Sequence, residues 1–268
     1  MSSTSESALA DEPEVLVEVD DGIGRITLNR PAERNPIGVN LAAEMTAALD
    51  RLEADMDCRA IILTGNGPVF CGGADLKRIL SATGDIDMEW QLQLIRGFNR
   101  VIQRMRSHDL PIIAAVNGPA VGGGAALAMA CDIAIASDKA SYYFAFGRIG
   151  AAGTDMGCTY LLPRLVGQMR AAHLILTGAT VTAGEGRDLG LFTDVVAADE
   201  LRPAAETIAR QIAEAYPRRA AATTKLGLVR GENMPLEACL DYEAIAQNYN
   251  FRGAEHRERL GAFLGAKG

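Results

Sequence analysis

The sequence predicts an α/β fold with a largely parallel sheet. Three short apolar runs, at 60–65, 111–116 and 133–136, have the composition of buried strands. Segments with helical periodicity accompany them, because apolar residues recur at steps of three and four over 41–52 and 85–107. Strands that alternate with helices pair in parallel, and the helices cover the faces of the sheet.

The elements can be justified in order from the N-terminus. Residues 15–29 contain two β-rich runs around Asp20-Asp21-Gly22, which indicates a hairpin. A loop at 31–36 precedes the helix of 41–52. The strand of 60–65 ends at a glycine, and Val69-Phe70 predicts another short strand before a Gly-Gly turn.

The second half continues the alternation and then changes character. Gly122-Gly123-Gly124 follows the strand of 111–116 and opens an Ala-rich helix that ends at Ala130. Beyond Asp199 only helical periodicity remains. We therefore divide the chain into a mobile tail (1–14), an α/β core (15–199) and a helical C-terminal region (200–268).

Composition excludes several classes of function. The 268 residues carry 26 basic and 34 acidic side chains, a net charge of −8, which disfavours nucleic acid as a partner. The tail lacks the basic start and apolar run of a signal peptide, and no apolar run approaches the ~18 residues of a membrane span. Five widely spaced cysteines and three separated histidines indicate neither a disulfide framework nor a metal site, so we expect a cytoplasmic protein.

Two glycine-rich segments share one local design. Each follows a buried strand: Gly65 to Lys77 after the first, and Asn117 to Ala125 after the second. Small residues allow a ligand to approach the backbone, and two N–H groups aimed at one oxygen form an oxyanion hole. Either loop alone is better explained by tight turns and close packing of helix and strand, but the pair favours a functional site.

Competing glycine motifs fail in detail. A dinucleotide fingerprint that starts at Gly122-x-Gly124 would require Gly or Ala at Leu127. The chain contains neither a phosphate-binding P-loop motif nor a G-x-S-x-G elbow. Cys71 is a candidate nucleophile in the first loop, but a small buried cysteine is the commoner interpretation.

The ordered motifs resemble those of the enoyl-CoA hydratase/isomerase (crotonase) superfamily over nearly the whole chain after about Val15. Phe70 to Lys77 (FCGGADLK) is similar to the first family signature, and Pro111 to Asp132 is similar to the second. Further matches lie along the rest of the chain, at 29–31, 162–167, 176–178, 190–191 and 256–264.

This resemblance implies a spiral of ββα units with a C-terminal helical region, and a homotrimer or dimer of trimers. It implies an acyl-CoA thioester as substrate, as in fatty acid metabolism, with no separate cofactor and no metal. The thioester carbonyl would lie between the backbone N–H groups of Ala74 and Gly123. Residues Ala74, Asp75, Leu76 and Lys77 would line the passage for CoA and the acyl group.

Two charged residues are further candidates for contact with CoA phosphate or adenine-ribose. They are Lys77 and Arg30, for each of which the alternative is a solvated surface charge. Asp75 is also expected to cap the helix that it begins.

The sequence departs from the hydratase pattern at its catalytic positions. The family's two glutamates would fall at Ala126 and Phe146, neither of which can move a proton. The nearest titratable candidate is Asp155, in Gly153-Thr154-Asp155-Met156-Gly157, which resembles the catalytic Asp-x-Gly of dienoyl-CoA isomerases. An ordinary aspartate of a loop or of a helix N-cap is the alternative interpretation.

The leading hypothesis is an acyl-CoA enzyme that stabilises a thioester enolate and favours isomerisation over hydration, with Asp155 as proton carrier. A non-catalytic acyl-CoA-binding homologue is the alternative, suggested by Ala126 and Phe146. A nucleotide-dependent oxidoreductase is a third hypothesis, motivated only by the order of strand, glycine loop and helix.

Overall fold

A computed structural model describes residues 13–81 and 88–265. The strands of the described part are β1 Val15–Asp20, β2 Ile23–Leu28, β3 Ala60–Gly65, β4 Ile112–Val116, β5 Pro119–Val121, β6 Ile133–Ser137, β7 Ser141–Tyr143, β8 Thr180–Thr182 and β9 Asp194–Val196. Its helices are α1 Leu41–Ala54, α2 Leu76–Ser81, α3 Met88–Ser107, α4 Gly123–Met129, α5 Cys158–Val166, α6 Gln168–Thr177, α7 Ala183–Asp188, α8 Leu201–Ala215, α9 Arg218–Gly231, α10 Leu236–Phe251 and α11 Ala254–Gly265.

The main sheet has six strands in the order β1-β2-β3-β4-β6-β9. The predicted hairpin of β1 and β2 is confirmed as an antiparallel pair, and every other pair in this sheet is parallel. All five residues of β4 are buried, as expected for a strand covered on both faces. The carboxyl ends of β3 and β4 therefore lie side by side, and the two glycine loops leave the sheet at the same edge.

A second sheet, of three short strands in the order β5-β7-β8, was not predicted. Each of its strands has only three residues, too few for a period-two pattern to stand out. This sheet matters for the site because β5 ends at Val121, directly before Gly122.

Two apolar layers cover the main sheet. Most buried side chains lie on the face of α1, α3 and α4. On the opposite face, Leu201, Ala205 and Ala209 of α8 pack against the isoleucines of the strands. Helix α8 therefore belongs to the core, although it opens the helical region predicted to begin at 200.

The remaining C-terminal helices differ in their attachment. Helix α9 is anchored by Lys225, whose buried ammonium lies 2.9 Å from Asp132 Oδ2 and donates to the carbonyls of Met105 and Leu110. Helices α10 and α11 bury none of their residues.

Three local expectations need correction or qualification. Val69-Phe70 forms no strand; an isolated bridge joins Cys71 to Ala120 instead. Glu14, which the sequence placed in a mobile tail, is buried beside Arg30, while residues 1–12 lie outside the described part. The helix predicted from residue 85 begins at Met88 in the described part, and 85–87 lie outside it. In the described residues we find no helix long and apolar enough to cross a membrane.

Candidate active site

The first glycine loop is held by the segment that follows Arg30. Gly72 N–H donates to the Arg34 carbonyl at 2.8 Å, and Ile37 N–H donates to the Gly73 carbonyl at 2.7 Å. Asp75 N–H then donates back to the Ile37 carbonyl at 3.0 Å. These bonds pair Ile37 with Ala74 in a parallel bridge. In such a bridge the N–H of Ala74 itself points away from Ile37.

Gly73 is required by geometry. Its φ is +85°, and a Cβ at this position would lie 2.8 Å from the Val121 carbonyl oxygen. Only glycine combines the left-handed conformation with this close approach. The first loop is thereby pressed against the end of β5.

The second glycine loop meets the first through backbone hydrogen bonds. Val121 N–H donates to the Cys71 carbonyl at 2.9 Å, and Gly122 N–H donates to the backbone carbonyl of Tyr143 at 2.9 Å. Gly122 has φ +53°, and Gly123 begins α4. The small sheet thus fixes the point at which the Gly123 N–H emerges.

Ala74 and Gly123 are both neighbours of Ile37. A Cβ on Gly123 would lie 2.8 Å from Ile37 Cδ1, and Ala74 is the bridge partner of the same residue. Within 13–81 and 88–265 neither N–H donates a hydrogen bond. Two free donors on adjacent loops can bind one oxygen that gains negative charge.

The Asp155 carboxylate lies close to Gly123. Its Oδ2 lies 3.8 Å from the position that a Cβ of Gly123 would occupy. Burial raises the pKa of Asp155, and a hydrogen bond from the Met156 N–H opposes that shift. The helix-capping interpretation is wrong, because α5 begins at Cys158 and its N-cap is Gly157, but Asp155 does lie in a loop. Asp155 is therefore a titratable group beside the free N–H of the second loop.

The two positions expected to carry glutamates in a hydratase are apolar and buried. Ala126 lies inside α4, fully buried. Phe146 packs its ring against Gly122, 3.4 Å from the position of a Cβ there, and also approaches Gly153. Hydrophobic packing occupies both places.

The other predicted site residues divide into exposed and buried groups. Leu76 and Lys77 are exposed at the start of α2. Asp75 is buried, and its Oδ1 accepts the N–H of Arg78 at 3.1 Å, so the predicted helix cap is confirmed.

Arg30 was assigned as a CoA contact or a solvated surface charge, and the structure contradicts the surface charge. Its side chain is 8% exposed and ion-paired with Asp75, Glu14 and Glu33. Because these carboxylates surround the guanidinium, we withdraw the assignment of Arg30 to CoA. The arginine instead connects the start of the chain to the first loop.

Cys71 is excluded as a nucleophile. It is fully buried, and burial raises the pKa of its thiol to about 12, so the thiolate form is negligible near neutral pH. Among the described residues no group of three or more His, Cys, Asp or Glu side chains is arranged to hold a metal ion.

Sequence reasoning missed two residues that shape the site. Ile37 contacts both glycine loops, and Met156 places its Sδ 2.7 Å from the Cβ position of Gly123. Neither residue type signals a site in a sequence. Met156 also has a φ of +45°, which is rare for a residue other than glycine and has no sequence signature.

The chain has extensive similarity to known proteins. A family model described as enoyl-CoA hydratase/isomerase matches residues 18–267. The chain is 34% identical over 250 residues to a 4-chlorobenzoyl coenzyme A dehalogenase of an Arthrobacter species, covering 93% of this chain and 90% of that protein. It is 34% identical over 251 residues to the 1,2-epoxyphenylacetyl-CoA isomerase of Escherichia coli, covering 93% of this chain and 95% of that protein.

Solved structures of enoyl-CoA hydratases have the same fold as this chain. A putative enoyl-CoA hydratase from Streptomyces coelicolor superposes with a TM-score of 0.89 at 35% identity, covering 99% of this chain and 97% of the other. An enoyl-CoA hydratase from Bacillus anthracis superposes with a TM-score of 0.88 at 30% identity, covering 95% and 97%. The fold implied by the sequence resemblance is confirmed.

Proposed function

The chain belongs to the enoyl-CoA hydratase/isomerase family, and we propose that it is an acyl-CoA enzyme that shifts a proton through a thioester enolate. The thioester oxygen is held between the N–H groups of Ala74 and Gly123. Asp155 carries the proton.

One observation carries this proposal: the Asp155 carboxylate lies beside Gly123, whose N–H is free. A thioester oxygen at that N–H places its neighbouring carbon atoms within reach of the carboxylate. Asp155 removes a proton from the acyl chain, and the electron pair moves onto the thioester oxygen as the enolate forms. Return of the proton to a different carbon atom moves the double bond and regenerates the carboxylate.

The same geometry argues against ordinary hydration. Water addition in the hydratase pattern uses two glutamates, and the corresponding positions here hold the buried side chains of Ala126 and Phe146. One movable proton suffices for isomerisation. The raised pKa of Asp155 suits a group that both accepts and returns a proton.

The names of the relatives support the substrate class. The dehalogenase and the isomerase are both named for CoA thioesters, and they differ in the reaction named. An acyl-CoA thioester is therefore the shared feature that we transfer to this chain. The reaction itself is inferred from Asp155.

We also propose a homotrimer or a dimer of trimers, assembled through the last two helices. The two helices, with the residues next to them, expose a large set of apolar side chains: Met234, Leu236, Leu240, Ile245, Tyr249, Phe251, Leu260, Phe263 and Leu264. Exposed apolar area of this extent is typical of an interface. Light scattering after gel filtration tests the assembly, and a monomeric mass would contradict it.

A cytoplasmic location and independence from a separate cofactor complete the proposal. All five cysteines are free thiols, which fits a reducing compartment. Proton transfer through Asp155 consumes no redox equivalent. Turnover of a purified sample after extensive dialysis tests the second point, and loss that added nucleotide or metal restores would contradict it.

The first experiment follows crotonyl-CoA in deuterated water by mass spectrometry. We expect deuterium to enter the acyl chain without addition of water. Asp155→Asn should lower the rate of incorporation by about 10²-fold or more, while the dissociation constant for crotonyl-CoA stays unchanged. Asp188→Asn, at an exposed aspartate of α7, is the matched control and should behave as wild type.

The alternatives give different results. A product that gains the mass of heavy water would show hydration and overturn the assignment of Asp155 to isomerisation. Tight binding of acyl-CoA esters with no exchange in a broad panel would favour the non-catalytic homologue.

A further inference from the structure

Met156 has an unusual backbone conformation for its residue type. Its φ of +45° lies in the left-handed region, which a residue with a Cβ adopts at a cost. The side chain is nevertheless only 2% exposed. Surrounding packing therefore holds an unfavourable conformation directly next to Asp155.

The thioether of Met156 borders the oxyanion site. Its Sδ lies 2.7 Å from the position that a Cβ of Gly123 would occupy, closer than Asp155 Oδ2 at 3.8 Å. A side chain at position 123 would require the Met156 thioether to move aside. The flexible, apolar side chain of Met156 therefore lines the site next to the free N–H of Gly123.

The other side of Met156 faces a cleft of about 580 Å³. The cleft lies between the second half of α3, the start of α5 and the end of α9. Its apolar lining includes Ile102, Leu161 and Val229, and the remaining lining is largely polar, with an ion pair between Arg106 and Glu232. Met156 therefore borders both Gly123 and a space large enough for an extended acyl chain.

We propose that Met156 determines acyl-chain length by closing the cleft to the acyl group. This inference rests on the proposed function, because it requires a thioester at Gly123. An acyl group that extends from that point towards the cleft meets the thioether first. The native enzyme therefore selects compact acyl groups, and a smaller side chain at 156 admits longer ones.

The test measures binding instead of turnover, so it does not depend on the reaction. Calorimetry gives dissociation constants for butyryl-CoA and octanoyl-CoA, two saturated esters that have no double bond to move. We expect wild type to prefer butyryl-CoA. Met156→Ala should shift the ratio of the two affinities towards octanoyl-CoA by at least about tenfold.

Two matched variants control for size and for chemistry. Met156→Leu keeps a side chain of similar volume at the same position and should keep the wild-type ratio. Met169→Ala removes a methionine that is exposed on α6 and should also leave the ratio unchanged. Met156→Gly serves as a second opening variant, because glycine adopts the left-handed conformation without strain. Thermal unfolding confirms that each variant is folded.

The outcomes separate this inference from the proposed function. Binding of both esters with the same ratio in wild type, Met156→Ala and Met156→Gly would overturn the role of Met156 alone. Absence of binding of either ester to any variant would overturn the proposed function, and this inference with it.

Discussion

The guanidinium of Arg30 donates from Nη1 to Asp75 Oδ2 at 2.9 Å, and both side chains are more than nine-tenths buried. Asp75 follows Ala74 directly, so this ion pair lies immediately behind the first free N–H. The pair links β2 to the first loop. The ion pair can affect the site only by fixing the backbone position of Ala74, which precedes Asp75.

We expect Arg30→Gln to destabilise the protein strongly. Removal of the cation breaks the buried ion pairs to Glu14 and Asp75, of which Asp75 keeps only a longer contact of 3.8 Å with Arg78, and breaking a buried ion pair typically costs about 3–5 kcal/mol. Urea unfolding measures the loss. Lys139→Gln, which breaks the exposed pair with Asp138, should change the free energy of unfolding by less than about 1 kcal/mol. Equal losses in the two variants would contradict the structural role of Arg30.

Activity should depend on pH through Asp155. The carboxylate must be ionised to remove a proton, and burial raises its pKa above the ordinary value of 3.8. The rate of deuterium exchange therefore rises with pH through a midpoint higher than that of an exposed aspartate. A pH–rate profile in Asp155→Glu should retain a rising limb, and Asp155→Asn should lose it. An unaltered limb in the asparagine variant would assign the titration to another group.

The same shift predicts a gain in stability when the charge is removed. A carboxyl group with a raised folded-state pKa binds a proton more tightly in the native protein than in the unfolded chain. It therefore destabilises the fold increasingly as pH rises from the unfolded-state pKa to the folded-state pKa. Asp155→Asn should have a higher melting temperature than wild type at pH 7 but not at pH 3. A lower melting temperature at pH 7 would contradict the desolvation of this carboxylate.

Gly73 should not tolerate a side chain. Gly73→Ala places a Cβ 2.8 Å from the Val121 carbonyl oxygen at φ +85°. We therefore expect the free energy of unfolding to fall by about 1–3 kcal/mol. We also expect slower deuterium exchange into the acyl chain, because Ala74 is displaced. Gly184→Ala in α7 is the matched control: no atom lies within 4 Å of its Cβ position, and alanine favours a helix. Its stability should stay the same or rise. A harmless Gly73→Ala would mean that the two loops are not pressed together.

Cysteine labelling should distinguish one thiol from the other four. Cys239 is partly exposed, whereas Cys58, Cys71, Cys131 and Cys158 are buried, and burial raises the pKa of each buried thiol. Iodoacetamide should therefore modify Cys239 first in the native protein, as peptide mass spectrometry would show. The other four should react only on unfolding. Rapid modification of Cys71 with loss of activity would revive it as a nucleophile.

Sequence reasoning succeeded where the signal is local. Buried strands, helical periodicity and the glycines before Ala74 and after Val121 are each defined by adjacent residues. The three-residue strands of the small sheet escaped because so short a segment has no period. The burial of Arg30 also escaped, since it depends on Glu14 and Asp75, which lie 16 and 45 residues away. Met156 escaped because its conformation is imposed by packing.

The two free N–H groups belong to the main chain, whereas the proposed proton carrier is a side chain. A substitution at 74 or at 123, other than to proline, leaves the backbone N–H of that residue in place. The part of the site that binds the oxygen therefore resists single substitutions. The segment 153–157 has no such protection, and one change there replaces the reacting group or alters the reach of its neighbour. Under the proposed function, a new reaction on a CoA thioester could evolve within these five residues, without rebuilding the backbone donors that would bind the ester.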